Sequence, residues 1–239
     1  MNIKNKTAIV TGASKGIGRE TALALAGAGA DVAISARSKD LLEELAAEIK
    51  KTGREAYVFP GDMSKENEIQ DFIKQTKDRF GKIDILINNA GLGHFQPVAE
   101  MSTDLWDEMF NLNVRGAFIA TREALPYLRI AGESVIVNVV SLAGKNAFVG
   151  GGGYAASKHA LLGFSRCLLL EERKNGVRVL AICPGSVDTN FFAAQEVKKL
   201  GAPLNKALKA EEIASSILHM IQLPQRAMIS EVDIRPSNP

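Results

Sequence analysis

The chain has 239 residues, 46% hydrophobic and 23% charged, with a formal net charge of +2. That length buries a core without disulfides or metals, and a near-neutral chain with no dense basic run has no electrostatic case for binding nucleic acid. Cys167 and Cys183 have neither CxxC nor metal-ligand spacing, His94, His159 and His219 are scattered, and no window approaches about 18 uninterrupted apolar residues, so no disulfide, metal site or membrane span is expected.

The opening run, MNIKNKTAIVTG, enters a strand pattern at once, and a cytoplasmic protein without a signal peptide is the expectation. TAIVTG (Thr7 to Gly12) reads as a buried strand, GIGRETALALAGAG as a helix, and ADVAISAR (Ala30 to Arg37) as the next strand. Ser38 is placed to cap a helix whose apolar face is Leu41, Leu42, Leu45 and Ile49, with Gly53 as its stop. A third strand, EAYVFPGD, precedes a helix from Ser64 to Phe80 with Ile69, Phe72, Ile73 and Phe80 on one side. IDILINNAG (Ile83 to Gly91), SVIVNVVS (Ser134 to Ser141), VRVLAICPG (Val177 to Gly185) and AMISEVDIR (Ala227 to Arg235) are further strands. Helical patterns fall between them at Leu105 to Leu128, Tyr154 to Lys174 and Glu211 to Ile221. Near-continuous Val/Ile/Leu strands alternating with helices predict one α/β domain over residues 1–239, a doubly wound Rossmann-type fold with a seven-stranded parallel sheet and helices on both faces.

TGASKGIG, with Gly12, Gly16 and Gly18, joins the first strand to the first helix, where backbone N–H groups and the helix dipole receive a pyrophosphate. Ser14 adds a hydroxyl donor. The spacing G-x3-G-x-G is neither the usual G-x-G-x-x-G nor a P-loop. At the end of the second strand an acid would bind a ribose 2′-hydroxyl; Ala36 and Arg37 stand there instead, and Lys15 approaches from the turn. Two cations suit a 2′-phosphate, which points to NADP(H) rather than NAD.

The stretch GGGGYAASK (Gly150 to Lys158) puts Tyr154 and Lys158 on one helix face, where an ammonium favours phenolate and lowers the tyrosine pKa. Such a pair also occurs on ordinary helix surfaces; its surroundings decide. In order the chain carries TGASKGIG, NNAG (Asn88 to Gly91), NVRG (Asn113 to Gly116), Ser141, YAASK and PGSVDT (Pro184 to Thr189). With these motifs it closely resembles the classical short-chain dehydrogenase/reductases over nearly all of Thr7 to Thr189, and within them is similar to 3-oxoacyl-carrier-protein reductases and related carbonyl reductases.

The resemblance implies an NADPH-dependent oxidoreductase with a catalytic tetrad of Asn113, Ser141, Tyr154 and Lys158. Tyr154 gives a proton to a carbonyl oxygen as nicotinamide gives hydride to its carbon. Lys158 lowers the Tyr154 pKa and holds the nicotinamide ribose, Ser141 binds the substrate oxygen, and Asn113 anchors a water leading to Lys158. Gly12, Ser14, Lys15, Gly16, Ile17, Gly18 and Arg37 fall to the cofactor. So do Asp62 at the adenine, Asn89, Ala90 and Gly91 on the adenosine side, Pro184 and Gly185, and Val187 and Thr189 beside the carboxamide. Asn88 is read as a strand brace. The small-molecule carbonyl or alcohol substrate is expected between Leu92, His94, Phe95, Leu142, Phe148, Val149, Phe191 and Phe192, with a short segment from Asn190 to Lys209 leaving the site open. The four glycines either let a substrate loop pass close or permit a tight turn. A homodimer or homotetramer is implied by analogy. The end, EVDIRPSNP, departs from the Asn-Gly-Gly close of the 3-oxoacyl reductases. A catalytically silent NADP-binding regulator is the alternative, and a serine hydrolase is excluded by the lack of G-x-S-x-G.

Overall fold

Alternation along the strands decides the layering. In β1, Val10 and Ile9 point to opposite faces, and each enters a different apolar cluster. The computed structural model describes residues 1–189, 191 and 207–237. Its strands are β1 (Thr7–Thr11), β2 (Asp31–Ala36), β3 (Ala56–Pro60), β4 (Ile85–Asn88), β5 (Ser134–Val139), β6 (Val177–Pro184), β7 (Val187–Asp188), β8 (Leu208–Lys209) and β9 (Glu231–Ile234). Seven form one parallel sheet in the order β3-β2-β1-β4-β5-β6-β9, with Val10 opposite both Ile34 and Ile87.

The helices are α1 (Gly16–Gly27), α2 (Lys39–Lys51), α3 (Glu66–Phe80), α4 (Thr103–Phe110), α5 (Ala117–Ile130), α6 (Gly152–Glu172) and α7 (Ala210–Gln222). Leu25, Leu42, Leu45, Ile49, Ile213 and Ile217 bring α1, α2 and α7 onto the Val10 face. Ile69, Phe72, Ile73, Ile119, Leu128 and Leu168 bring α3, α5 and α6 onto the Ile9 face. The chain winds outward from β1 to β3, then returns to β4 on the other side of β1, so a crevice opens at the carboxyl ends of β1 and β4, where ligands of such sheets bind.

Four details differ from the sequence expectation. Ser38 stands at the N-cap of α2, yet its hydroxyl makes no capping bond. Asp40 in the first turn and Lys50 and Lys51 in the last complement the helix dipole instead. The last strand begins at Glu231, where pairing with Ala181 starts, and not at Ala227. The two-residue β7 and β8 pair in a separate parallel ladder too short to leave a periodic signal. The long helix expected from Leu105 to Leu128 is α4 and α5 joined by a π-helical segment, Asn111–Gly116, a form often found at functional sites.

A buried polar ladder ties the sheet to both helices behind it. Asn88 Nδ2 donates to Thr121 Oγ1 at 3.0 Å and to Asn138 Oδ1 at 2.8 Å. Asn138 Nδ2 donates to Ser165 Oγ at 2.8 Å, and that hydroxyl donates to the Leu161 carbonyl at 2.7 Å. Asn88 is thus placed as a brace between β4, β5 and α5. Asn138→Ala strands the Asn88 amide and the Ser165 hydroxyl, and we expect it to lower the unfolding free energy by about 2–4 kcal/mol in urea melts.

Candidate active site

The turn after β1 is built by its neighbours as much as by its glycines. Gly12 has φ +66°, and a Cβ there would lie 2.7 Å from the Ala90 Cα, so only glycine lets β1 and β4 end so close together. Asn89 Nδ2 donates to the Thr11 and Gly12 carbonyls at 2.9 and 3.0 Å. Thr11 Oγ1 accepts the Asn89 and Ala90 N–H groups, both at 3.1 Å, and donates to the Ile87 carbonyl. The Asn89 amide is therefore spent on holding the turn. Gly18 is buried behind it, where a side chain would strike that amide, and it does not line the cleft. Thr11, the first residue of TGASKGIG, is the pivot of this bracing.

A cavity of about 450 Å³ runs along the strand ends. Of the residues expected at the cofactor, Gly12, Ser14, Lys15, Gly16, Ile17, Arg37, Asp62, Asn89, Ala90, Gly91, Pro184, Gly185, Val187 and Thr189 line it, together with Ser141, Tyr154 and Lys158. Ser38, Met63, Ser64, Glu108 and Leu112 also line it and were not foreseen. At one end Lys15 and Arg37 are exposed, and neither forms an ion pair with a described residue. Burial works to raise the Asp62 pKa, but bonds from the Ser64 N–H and hydroxyl (2.9 and 2.8 Å) and the Arg37 charge hold it below the usual carboxylate value.

At the other end, α6 turns Tyr154 and Lys158 to the same side, 6% and 4% exposed. Lys158 Nζ donates to the Val139 carbonyl at 3.1 Å and lies 5.8 Å from the Tyr154 ring centroid. Burial pushes the Tyr154 pKa up to about 12, with the Ser141 hydroxyl pulling the other way. Burial pulls Lys158 down to about 8. The expected depression of the tyrosine by the lysine is thus not met here: desolvation dominates both groups, and the ammonium is aimed at a backbone carbonyl. The phenol is held protonated, the form a proton donor needs.

Ser141 lies two residues beyond β5, and its Oγ accepts from the Ala143 N–H at 3.1 Å, capping a 3-10 turn over Leu142–Gly144. Asn113, in the π segment, sits behind the cavity wall. Its Oδ1 accepts the Leu92 N–H at 2.8 Å, and its Nδ2 donates to the Leu92 carbonyl at 2.8 Å and to Ser157 Oγ at 3.0 Å. Ser157 Oγ donates to the Tyr154 carbonyl at 2.8 Å, so a serine inside YAASK, unassigned from the sequence, links Asn113 to the tyrosine's helix.

The glycine run serves a tight turn and close packing. Gly150, φ +77°, makes the turn, while Gly151 lies beneath the Phe148 ring and Gly153 packs against Met101 and Met109. Aromatic rings run from Phe148 to Phe95 (5.8 Å between centroids), to Tyr154 (5.4 Å) and to Phe191 (5.9 Å). Of the residues expected at the substrate, Leu92 and Phe191 line the cavity, Leu142 packs against the core beside it, and Val149 is 94% exposed. Phe192 lies outside the described residues. Among the described residues no group of His, Cys, Asp and Glu could hold a metal ion, and no helix is long and apolar enough to cross a membrane.

Lys158 carries a stability consequence. Between pH 8 and 10.5 the unfolded chain holds a proton on this lysine that the folded chain lacks, so stability rises with pH through that window. Relative to Lys158→Met, the wild type should gain up to about 3 kcal/mol in unfolding free energy between about pH 7.5 and 10, read from urea melts. Tyr154, whose pKa burial raises, is common to both proteins and drops out of this comparison.

Residues 6–199 match the family model for short chain dehydrogenase. An alcohol dehydrogenase from the archaeon Thermococcus sibiricus, complexed with 5-hydroxy-NADP, superposes with a TM-score of 0.90 at 33% identity, over 99% of this chain and 98% of that one. A metagenomic short-chain oxidoreductase in complex with NADP gives 0.87 at 32% identity over 100% of both chains. The glycine betaine reductase ATRR of Emericella nidulans is 32% identical over 98% of this chain, which spans 19% of that protein's length. A cleft lined by the glycine turn, a buried Tyr–Lys pair at its end and a family match over most of the length lead to one conclusion: the chain belongs to the short chain dehydrogenase family.

Proposed function

We propose that the chain is an NADPH-dependent carbonyl reductase, acting reversibly on ketones or aldehydes. The observation that carries this reading is that buried, protonated Tyr154 and buried Lys158 line the same cavity as the glycine turn. The residues fit the cofactor: Gly12 leaves a backbone cradle that a side chain would fill, and Lys15 and Arg37 at the far end, with no ion pair among the described residues, suit a 2′-phosphate. Ser14, Gly16 and Ile17 would hold the pyrophosphate, Asp62 the adenine, and Val187 and Thr189 the carboxamide. When bound, NADPH supplies the hydride that goes to the carbonyl carbon.

The chain's own groups manage the oxygen. The Ser141 hydroxyl orients it, and the Tyr154 hydroxyl gives it a proton as negative charge develops there. The products are an alcohol and a Tyr154 phenolate, which takes back a proton by way of Lys158. The ammonium beside the new phenolate then stabilises it in a site that excludes water. Asn113 keeps Leu92 and the Tyr154 helix in register. We place 3-oxoacyl thioesters among the candidate substrates, and assign the whole chain to one catalytic domain of a cytoplasmic homo-oligomer.

Tyr154→Phe should lower kcat at least about a thousandfold for NADPH oxidation against a panel of ketones, aldehydes, diketones and 3-oxoacyl thioesters, with NADPH affinity kept. NADPH binding with no turnover of any of them would favour a silent regulator. Arg37→Asp should weaken NADPH by about tenfold or more while leaving NADH nearly unchanged, measured by fluorescence titration; equal losses for the two would remove Arg37 from the phosphate.

A further inference from the structure

Two acids, Asp62 and Glu108, are among the described residues lining the cavity. Asp62 is turned to Ser64 and Arg37 at the nucleotide end, as described above. Glu108 has no such role. It precedes Met109, which packs with Tyr154 and Ala155, and it stands one helical turn before Leu112, another lining residue. His94 Nε2 meets Glu108 Oε2 at 2.9 Å, and the His94 N–H donates to Met109 Sδ at 3.4 Å, so the loop that carries Leu92 and Phe95 fixes this carboxylate in place. Oε1 of Glu108 has no hydrogen-bond partner among the described residues.

Apart from the Ser141 and Tyr154 hydroxyls, the other substrate-side groups among the described residues are apolar or aromatic. Leu92 and Phe191 form the wall, and Phe95 meets the Tyr154 ring edge-on at 5.4 Å. Among the described residues lining the cavity the cations are elsewhere: Lys15 and Arg37 at the far end, and Lys158 beside Tyr154. A half-exposed carboxylate at this end attracts a cation and repels a second carboxylate.

We propose that Glu108, steadied by His94, sets the charge preference of the substrate side, favouring carbonyl compounds that carry a cationic group over those that carry a carboxylate. The inference rests on the carbonyl-reductase reading. Glu108 is here a specificity residue and His94 a positioning residue, with no part in the proton or hydride steps.

The test uses three ketones of matched length ending in trimethylammonium, tert-butyl and carboxylate groups, with wild type, Glu108→Gln and His94→Gln. The ratio of kcat/KM for the ammonium ketone to that for the carboxylate ketone should exceed one in wild type and fall on the order of tenfold in Glu108→Gln. Added salt should compress the wild-type ratio and leave that of Glu108→Gln nearly flat. His94→Gln should keep a preference of the same sign but smaller size. Calorimetric titration of the same ketones into the enzyme saturated with NADP reads the preference without turnover. If no ketone is reduced but binding still favours the ammonium compound, the reductase reading fails and the charge preference stands. Equal ratios in wild type and Glu108→Gln, by kinetics or by binding, would overturn the assignment of Glu108.

Discussion

A buried ammonium group in the wall of the cleft, bonded to the carbonyl that ends β5, sets the terms for everything around it. Lys158 can be held there only while Tyr154 closes over it and the end of β5 keeps Val139 in reach. The surrounding bonds serve that enclosure. Ser157 joins the Tyr154 backbone to Asn113, Asn113 holds both polar groups of Leu92, and Gly91 brings the β4 loop so near that a Cβ there would lie 3.4 Å from Nζ. Burial raises the phenol and lowers the amine, so before any ligand arrives each group leans toward its neutral form. A negative charge appearing beside them reverses that preference for the amine.

Much of the architecture is legible in the sequence because parallel strands buried on both faces leave plain Val/Ile runs, and the expected seven-stranded sheet forms. Leu42, Leu45 and Ile49 face the core as their spacing requires. What escaped was decided by geometry between distant segments. Thr11 looks like any strand threonine until the end of β4 is laid beside it, and Ser157 is one small residue in a helix until Asn113 arrives from another. Ser38 has the right type and place for a cap but makes no such bond. The Tyr154–Lys158 pairing was readable from a spacing of four, but the direction of the phenol's pKa was not, because helical spacing carries no information about desolvation.

The cleft is also polarised along its length. Lys15 and Arg37, with Asp62 between Arg37 and Ser64, occupy one end, Glu108 the other, and the buried lysine lies under the reaction centre. In a concave site with low-dielectric walls such an arrangement orients an elongated dipolar ligand pair before contacts form. The bracing of the turn by Asn89 keeps the backbone donors of the cationic end fixed, so little reorganisation accompanies binding there.

The π-helical stretch between α4 and α5 makes the two helices keep a fixed phase mismatch. One residue in a helix corresponds to about 100° of rotation. Deleting a single position there to restore regular winding would swing Glu108 and Met109 away from the cleft while α5 stayed locked against the sheet by Ile119 and Leu128. The residue count between α4 and α5 therefore sets the shape of the pocket independently of the side chains that line it.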